Sequence, residues 1–413
     1  MPDSALFRLS HVFSSPANAR AALPSIGVFL CAAMLVALPG GGAWSVVALA
    51  VCLAAAPAQA KPDPRLRDEI WIALIVTTAI IAMVAFNRWW HAAPWRELQN
   101  PLRWWLLPLL MLLLARVRLP SAHAFAAGAA VGALGAAGLG MYERVVIDLP
   151  RAGGFANQIL YGNLALTLGV MCGVAWLVLP RGRALALVGL AGGLLASLLS
   201  GSRGGWIAVP ILAVVLAVLS PDRRVRRGLW GVVVIALIAA AVAWWLALIG
   251  HFPRLQQAVV DLQAYAAGNS DSSLGVRLEM WRAAWRFWRE APWMGMGTGN
   301  FHAGLERLVA SGQMPAHVLQ YRHAHNEFLH ALATTGVVGL TALLALSAIP
   351  LSRMWRVSRA LEARTELRFY ALCGVCLIVG FWVYGLTQAM FQHNLGIIGF
   401  IVLLAICWRG IRP

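Results

Sequence analysis

The sequence predicts an all-α polytopic membrane protein, with about twelve transmembrane helices and one long periplasmic loop that contains short helices. Its 413 residues are 60% hydrophobic and only 12% charged, whereas soluble proteins are about 25% charged. Apolar runs of about 20 residues, the length that crosses a bilayer as a helix, recur along the whole chain. Helices are the expected spanning elements, because a segment in lipid must satisfy its backbone hydrogen bonds internally.

The predicted spans divide the chain into three regions. Residues 1–249 hold helices 1–9, residues 250–325 form the long loop with amphipathic helices, and residues 326–413 hold helices 10–12. The spans lie at about 23–39, 43–60, 70–87, 102–115, 121–141, 158–179, 184–200, 206–219, 229–249, 326–350, 367–388 and 394–408.

The net charge of +17 does not indicate a nucleic-acid partner, because of where the positive residues lie. Lys61 is the only lysine, and the arginines cluster in short connections between the apolar spans. This distribution is the positive-inside pattern of multi-pass membrane proteins. It predicts that the N- and C-termini are cytoplasmic and that the 250–325 loop is on the opposite side.

The long loop contains an amphipathic helix from about Arg277 to Glu290. Trp281, Trp285 and Trp288 form an aromatic stripe, and a stripe of arginines runs one position further on. Such a helix either lies in the membrane interface against lipid phosphates or covers the helical bundle with its tryptophan face. The sequence leaves both interpretations open. Residues 271–273 are predicted to cap this helix.

A glycine-rich segment, Gly295, Gly297 and Gly299, follows this helix. Closely spaced glycines can turn backbone N–H groups toward an anion. Glycines also form plain turns, so the motif is weak evidence of a binding site.

The acidic residues exclude several classes of function. None of the sixteen lies in the middle of an apolar span, where ion-coupled transporters usually place a carboxylate. The sequence has no D-x-D pair that would hold a metal for a nucleotide-sugar and no P-loop that would bind ATP. We therefore expect neither a metal nor a cofactor. Cys373 and Cys376 form a C-x-x-C within a span, which favours packing over redox chemistry.

Polar residues on the predicted outer side form a candidate active site. His325 lies where the long loop meets the next span, Arg203 lies in a glycine-rich turn, and Arg277 begins the amphipathic helix. Arginines that face outward suit a lipid diphosphate, and a histidine near neutrality can deprotonate a hydroxyl. Each residue also has a plain interpretation, as a snorkelling arginine or an interfacial histidine. Further candidates are Arg151, Asn157, Arg322, His323 and Asn326.

These residues resemble motifs of the bacterial O-antigen ligase and polymerase superfamily. One motif consists of H-N, then nine residues, then G-x-x-G. It is matched by His325, Asn326, Gly336 and Gly339. An S-R-G turn is matched by Ser202, Arg203 and Gly204. A longer pattern, with R, W and P followed by G-x-G-x-G-x-F, is matched by Arg277, Trp281, Pro292, Gly295, Gly297, Gly299 and Phe301. An element with R, G, F and N in this order is matched by Arg151, Gly154, Phe155 and Asn157. The motifs fall in the expected order between about residues 150 and 340.

The resemblance implies an inverting, metal-independent glycosyltransferase of the bacterial inner membrane, with its active site facing the periplasm. Its donor would be a glycan linked to undecaprenyl diphosphate, and its acceptor would be lipid A–core. Carried over to this sequence, His325 would be the catalytic base, and Arg203 and Arg277 would bind the diphosphate. Because His323 and Arg322 are adjacent, it stays open whether His325 or His323 is the base. It also stays open whether Arg322 binds the diphosphate.

Within the superfamily the ligase is favoured, but four alternatives remain. One is a non-enzymatic membrane scaffold, for which the arginine and histidine residues would be a coincidence. An O-antigen polymerase typically has two large periplasmic loops, and this chain has one. A protein O-oligosaccharyltransferase often has a further periplasmic part after its last span, and this chain ends at Pro413. A lipid-linked glycan flippase, from another class, would use arginines along one path and no catalytic histidine.

Overall fold

The computed structural model describes residues 16–58, 64–92, 95–248, 253–360 and 364–412. Within these ranges the chain is helical and contains no β-strand. Several of its helices are long and apolar enough to cross a membrane. The predicted fold class, an all-α polytopic membrane protein, is therefore confirmed.

Fifteen helices of ten residues or more lie within the described ranges. They are α1 (Pro16–Ala37), α2 (Gly41–Ala55), α3 (Pro64–Trp90), α4 (Leu106–Ala115), α5 (Ala122–Met141), α6 (Gln158–Val178), α7 (Arg183–Ser200), α8 (Arg203–Leu219), α9 (Arg223–Leu248), α10 (Pro253–Ala266), α11 (Ser273–Glu290), α12 (Phe301–Ala310), α13 (Glu327–Arg359), α14 (Thr365–Gly385) and α15 (Asn394–Gly410). Shorter helical turns lie at Trp95–Leu98, Gln99–Leu102, Arg103–Trp105, Tyr142–Val146, Ala316–Gln320 and Met390–Gln392.

Each of the twelve predicted spans coincides with one of these helices. Among the described residues, eight helices are long and apolar enough to cross a membrane, namely α1, α3, α5, α6, α7, α9, α13 and α14. Helices α2, α8 and α15 are apolar but shorter, and α4 has ten residues. A multi-pass protein is confirmed, while the number of twelve spans stays a prediction.

Helices α6 and α14 form the centre of the bundle, and α9 lies at its edge. Within one 18-residue apolar stretch of each helix, 78% of the residues are buried in α6 and in α14, and 6% are buried in α9. Small residues allow the close packing around them. In α5, for example, a Cβ at Gly128 would overlap the backbone carbonyl of Phe29 in α1. The outward apolar side chains of α9 suit contact with lipid.

The loop between α9 and α13 folds around a small core of its own. Helix α11 contributes Met280, Ala283, Ala284 and Phe287, which are buried against residues of α12 and the start of α13. The predicted aromatic stripe lies beside this face: Trp285 is half exposed, whereas Trp281 and Trp288 are partly buried. The predicted cap is confirmed, since Ser272 Oγ accepts a hydrogen bond from the N–H of Gly275 (3.0 Å).

Helix α13 is interrupted at Gly336, which has φ 65° and ψ −166°. A Cβ at this position would overlap the carbonyl of Trp293. The N–H groups of Val337 and Met296 cross this junction to the carbonyls of Pro292 (2.9 Å) and Ala333 (2.9 Å), respectively. The interruption therefore forms because the 292–297 backbone replaces the missing hydrogen bonds within the helix.

The glycine-rich segment is part of this junction, and three of its N–H groups have protein partners. The N–H of Gly295 donates to Ala291 O (2.8 Å), and that of Gly297 donates to Thr334 O (3.1 Å). The N–H of Thr298 donates to Oδ1 of Asn87 in α3 (3.1 Å). This segment holds α3, α11 and α13 together, and these groups are not directed at an anion.

Candidate active site

His325 has a backbone conformation that is uncommon for a residue with a Cβ. Its φ is 50°, in the left-handed region, and it lies two residues before α13 begins. This conformation costs roughly 1–2 kcal/mol for an L-residue other than glycine. Such strain persists where the surrounding structure fixes it, and it concentrates at functional sites.

The neighbouring Asn326 fixes the turn that carries His325. Its Oδ1 accepts hydrogen bonds from the N–H groups of Phe328 (3.0 Å) and Leu329 (3.1 Å), which makes it the cap of α13. Its Nδ2 donates to Leu386 O, just after α14 (3.2 Å). The predicted role of Asn326 as a supporting residue thus has a structural basis, because it binds the start of α13 to the end of α14.

The two ring nitrogens of His325 have different surroundings. Nδ1 lies 2.8 Å from Oε1 of Gln388. Nε2 is buried and has no hydrogen-bond partner among the residues that the structure describes. A buried polar atom without a partner is uncommon in proteins and requires an explanation, such as a catalytic role.

His325 belongs to a histidine cluster made of His323, His325, His330 and His393. The ring centre of His323 lies 4.4 Å from that of His325, 5.3 Å from that of His393 and 6.4 Å from that of His330. In the described parts of the chain, no group of three or more His, Cys, Asp or Glu residues has an arrangement that would hold a metal ion. The cluster is an assembly of imidazoles that contact one another.

The cluster favours uncharged imidazoles. Burial, together with the charges of the neighbouring histidines, lowers the pKa of His323 to about 2. Burial also lowers the pKa of His325; its hydrogen bond with Gln388 opposes this, and the charge of Arg277 adds to it. The pKa of His393 is lowered by burial as well. At neutral pH these rings therefore have lone pairs that can accept protons.

Arg277 is brought to this site by α11. It lies in the first turns of that helix, is half buried and is close enough for its charge to act on His325. The structure thus places together two of the residues that the sequence singled out, although 47 residues separate them along the chain.

The turn of Arg203 lies against the same region, although the side chain of Arg203 lies outside the described residues. Helix α8 begins at Arg203. A Cβ at the following Gly204 would overlap the hydroxyl of Thr387, the neighbour of Gln388. The backbone at Arg203 therefore packs against the segment that contacts His325.

Arg151 and Asn157 have structural partners. Arg151 Nε donates to Ser200 O (2.9 Å) and its NH2 group donates to Gly201 O (3.1 Å), so it caps the C-terminus of α7 next to the turn of Arg203. Oδ1 of Asn157 accepts from the N–H of Ile159 (2.9 Å) and caps α6. Arg322 is exposed, beside the cluster in sequence. Arg151 therefore lies next to the turn of Arg203, and the contact of Asn157 is with the start of its own helix.

A cavity of about 310 Å³ lies between α1, the start of α2 and the start of α15. Its walls are mostly apolar, and they include Arg103 and Asn394. Asn394 follows His393, and Nδ2 of Asn100 donates to the adjacent Gln392 O (3.0 Å). The cavity therefore lies next to the turn that carries one of the four histidines.

Three residues of the site were not predicted from the sequence, namely His330, Gln388 and His393. One signal was present. Thr387, Gln388, Gln392 and His393 form a polar run in the short connection between two apolar spans. A connection that only turns the chain does not need this concentration of amides and imidazoles.

The fold and the site define a multi-pass helical membrane protein in which arginine and histidine residues from distant segments meet where its helices end. Residues 185–344 match the family model described as O-antigen ligase. This range includes Arg203, Arg277 and His325. The match confirms the resemblance to the O-antigen ligase superfamily.

Two curated relatives match about half of the chain. A protein of Haemophilus influenzae described as uncharacterized is 28% identical over 209 residues, which are 49% of this chain and 51% of that protein. The O-antigen ligase of Escherichia coli is 24% identical over 219 residues, which are 51% of each chain. The chain spans about half the length of the curated relatives it matches.

Proposed function

We propose that this protein is an O-antigen ligase, an inverting and metal-independent glycosyltransferase. It moves a glycan from undecaprenyl diphosphate to lipid A–core at the periplasmic face of the bacterial inner membrane. The observation that carries the proposal is the state of His325, which combines a strained backbone with a buried Nε2 that has no partner. The family match across residues 185–344 supports the same reaction class.

In the proposed reaction, Nε2 of His325 accepts the proton of an acceptor hydroxyl. The acceptor oxygen forms a bond to the anomeric carbon of the donor glycan, on the face opposite the diphosphate. The bond from that carbon to the diphosphate oxygen breaks, and undecaprenyl diphosphate leaves with the electron pair. The configuration at the anomeric carbon is therefore inverted. A neutral imidazole suits this step, because a base must accept the proton when the hydroxyl attacks.

Arg203 and Arg277 bind the diphosphate in this proposal. Their positive charge offsets the negative charge that develops on the leaving group. The position of Arg277 near His325 and the packing of the Arg203 turn against Thr387 support a shared cavity. Arg151 holds the C-terminus of α7 and thereby supports the turn of Arg203.

His325 is a better base than His323. The pKa of His323 is about 2, so its imidazole has little affinity for a proton and gives little driving force for proton transfer. Nδ1 of His323 also accepts the N–H of His325 (3.4 Å). Its position supports a role in holding the strained backbone of His325.

The two lipid substrates enter from the bilayer in this proposal. The cavity of about 310 Å³ beside the His393 turn has apolar walls and one cation, Arg103. An apolar chain with an anionic head suits such a lining, since the chain buries apolar area and the head meets a guanidinium.

The test is transfer in vitro with purified protein, a glycan on undecaprenyl diphosphate and lipid A–core, without added metal. Wild type is expected to shift lipid A–core to higher mass, and His325→Ala is expected to lose about 10²–10⁴-fold in rate. His317→Ala is the matched control, because His317 belongs to the same loop but lies outside the histidine cluster.

Other outcomes would change the assignment. Longer lipid-linked chains without a modified lipid A–core would identify a polymerase. Full transfer by His325→Ala would place the base elsewhere. No product from folded wild type would contradict the glycosyltransferase and favour a flippase.

A further inference from the structure

Gln388 joins the proposed base to a second histidine. Its Oε1 lies 2.8 Å from Nδ1 of His325, and its Nε2 lies 3.1 Å from Nε2 of His393. It follows α14, and its side chain comes from a different part of the chain than His325. One amide therefore contacts two imidazoles of the histidine cluster at once.

This arrangement determines which nitrogen of His325 has a proton. An amide oxygen only accepts hydrogen bonds, so Nδ1 of His325 must donate to Oε1. In a neutral imidazole the other nitrogen is then an acceptor. The lone pair thus lies on Nε2, which is the buried nitrogen without a partner.

The opposite end of the amide is consistent with this orientation. Its NH₂ group only donates, so Nε2 of His393 must accept. His393 can do so because its pKa is lowered by burial and its ring is neutral. The reversed amide would instead direct an N–H at Nδ1 of His325, and the imidazole proton would then lie on Nε2, which has no acceptor.

Gln388 is also held firmly enough to impose this orientation. It is fully buried, with 0% exposure, and its N–H donates to Tyr384 O at the end of α14 (3.0 Å). The same segment is bound to the cap of α13, since Leu386 O accepts from Asn326 Nδ2 (3.2 Å). A side chain fixed by packing and hydrogen bonds can orient a catalytic group to the accuracy that catalysis needs.

We infer that Gln388 is a positioning residue that fixes His325 in the Nδ1–H tautomer and so leaves Nε2 free to deprotonate the acceptor hydroxyl. This inference rests on the proposed function for its catalytic consequence. The tautomer itself does not depend on that function. The titratable and charged groups that face His325 are Tyr321, His323, His330, His393 and Arg277.

Gln388→Met tests the positioning role. Methionine has a similar length, but its sulfur is only a weak hydrogen-bond acceptor for the N–H at Nδ1. Both tautomers of His325 therefore become populated. We expect kcat to fall about 10- to 100-fold, in the range of other residues that orient an acting histidine. KM for the lipid-linked donor is expected to stay unchanged, because Gln388 does not contact the substrate in this proposal.

Gln388→Glu tests the same contact through the pH dependence of the rate. The carboxylate accepts from Nδ1 as the amide does, and its negative charge stabilises the imidazolium. The acid limb of the kcat profile is therefore expected to move to higher pH by about one unit or more. Gln320→Glu is the matched control, since Gln320 is exposed on the same loop and adds the same charge outside the cluster.

A measurement that needs no turnover separates this inference from the proposed function. Nitrogen-15 spectra of histidine-labelled protein distinguish Nδ1–H from Nε2–H rings, and the signals of His325 are those lost in His325→Ala. We expect Nδ1–H in wild type and a mixture in Gln388→Met. An Nε2–H ring in wild type, or spectra unchanged by Gln388→Met, would overturn the inference. If wild type transfers no glycan but has the expected spectra, the proposed function fails and the positioning contact stands.

Discussion

Two backbone positions with positive φ lie at the ends of the first part of α13, and the sequence fills them differently. Gly336, with φ 65°, interrupts the helix, and His325, with φ 50°, precedes it. The left-handed conformation costs roughly 1–2 kcal/mol for a residue with a Cβ, and glycine adopts it freely. The sequence avoids this cost at the first position and accepts it at the second.

The surroundings of the two positions explain the difference. At Gly336 the backbone groups nearby are hydrogen-bonded across the junction with residues 292–297, and a side chain has no space. At His325 a side chain is present, and one of its nitrogens is buried without a partner. The first position serves the fold. The second retains strain and an unsatisfied atom together, which is the combination expected where a side chain acts on a substrate.

Gly336→Ala is expected to have the largest effect on stability. The new Cβ would overlap Trp293 O, and the backbone at φ 65° and ψ −166° lies in a region that is essentially restricted to glycine. Strain and overpacking together are expected to lower the free energy of unfolding by about 3 kcal/mol. The measurement is thermal unfolding of the purified protein in detergent, together with the fraction that stays monodisperse.

Gly312→Ala is the matched control for this prediction. Gly312 has φ 69°, and a Cβ there would meet nothing within 4 Å. It therefore reports the left-handed strain alone, roughly 1–2 kcal/mol. Equal losses at the two positions would show that the contact with Trp293 contributes nothing, and the junction would then not be the reason for the glycine.

The contrast between the two positions also shows what the sequence could predict of the fold. The spans were predictable because apolar length alone identifies them, and each coincides with a helix. The interruption at Gly336 was not, since it depends on a backbone segment 40 residues earlier that supplies hydrogen bonds. The buried face of α11 was also missed. Its small residues Ala283 and Ala284 let neighbours approach, whereas the more conspicuous tryptophans lie beside them.

The candidate site was predictable where a residue has an unusual chemistry for its place. His325 is a titratable ring at the edge of an apolar span, Arg277 is a cation at the start of the amphipathic helix, and the charge of Arg277 acts on His325 in the structure. The individual role of Gln388 was not predictable, because the polar residues of the connection after α14 mark the segment but do not single out one of its amides. Its importance depends on two distances to imidazoles from other segments, which only the folded chain shows.

Arg277→Ala is expected to lower the activity of the site around His325 without destabilising the junction at Gly336. Loss of a charge that stabilises the leaving diphosphate is expected to lower kcat about 100-fold. The acid limb of the pH profile is also expected to move to higher pH. The charge of Arg277 lowers the pKa of His325, so its removal raises that pKa and the base becomes neutral only at a higher pH. Rates measured across pH report both effects.

Two further variants separate these effects. Arg277→Lys keeps the charge but not the forked geometry, so the acid limb is expected to stay in place while the rate falls. Arg282→Ala, at an exposed position of the same helix, is expected to leave both unchanged. An acid limb that does not move in Arg277→Ala would mean that the charge of Arg277 does not act on His325.

His325→Gly compared with His325→Ala measures the strain that the sequence accepts at this position. Both variants lack the imidazole and are expected to be inactive in transfer. They differ in the backbone, because glycine adopts φ 50° without strain and alanine does not. The glycine variant is therefore expected to be the more stable of the two by about 1 kcal/mol, in spite of the greater freedom of its unfolded chain. Thermal unfolding of the two variants side by side gives this difference. A more stable alanine variant would mean that the turn relaxes once the imidazole is gone. In that case the strain belongs to the contacts of the ring with Gln388 and His323, and the capping of α13 by Asn326 does not impose it.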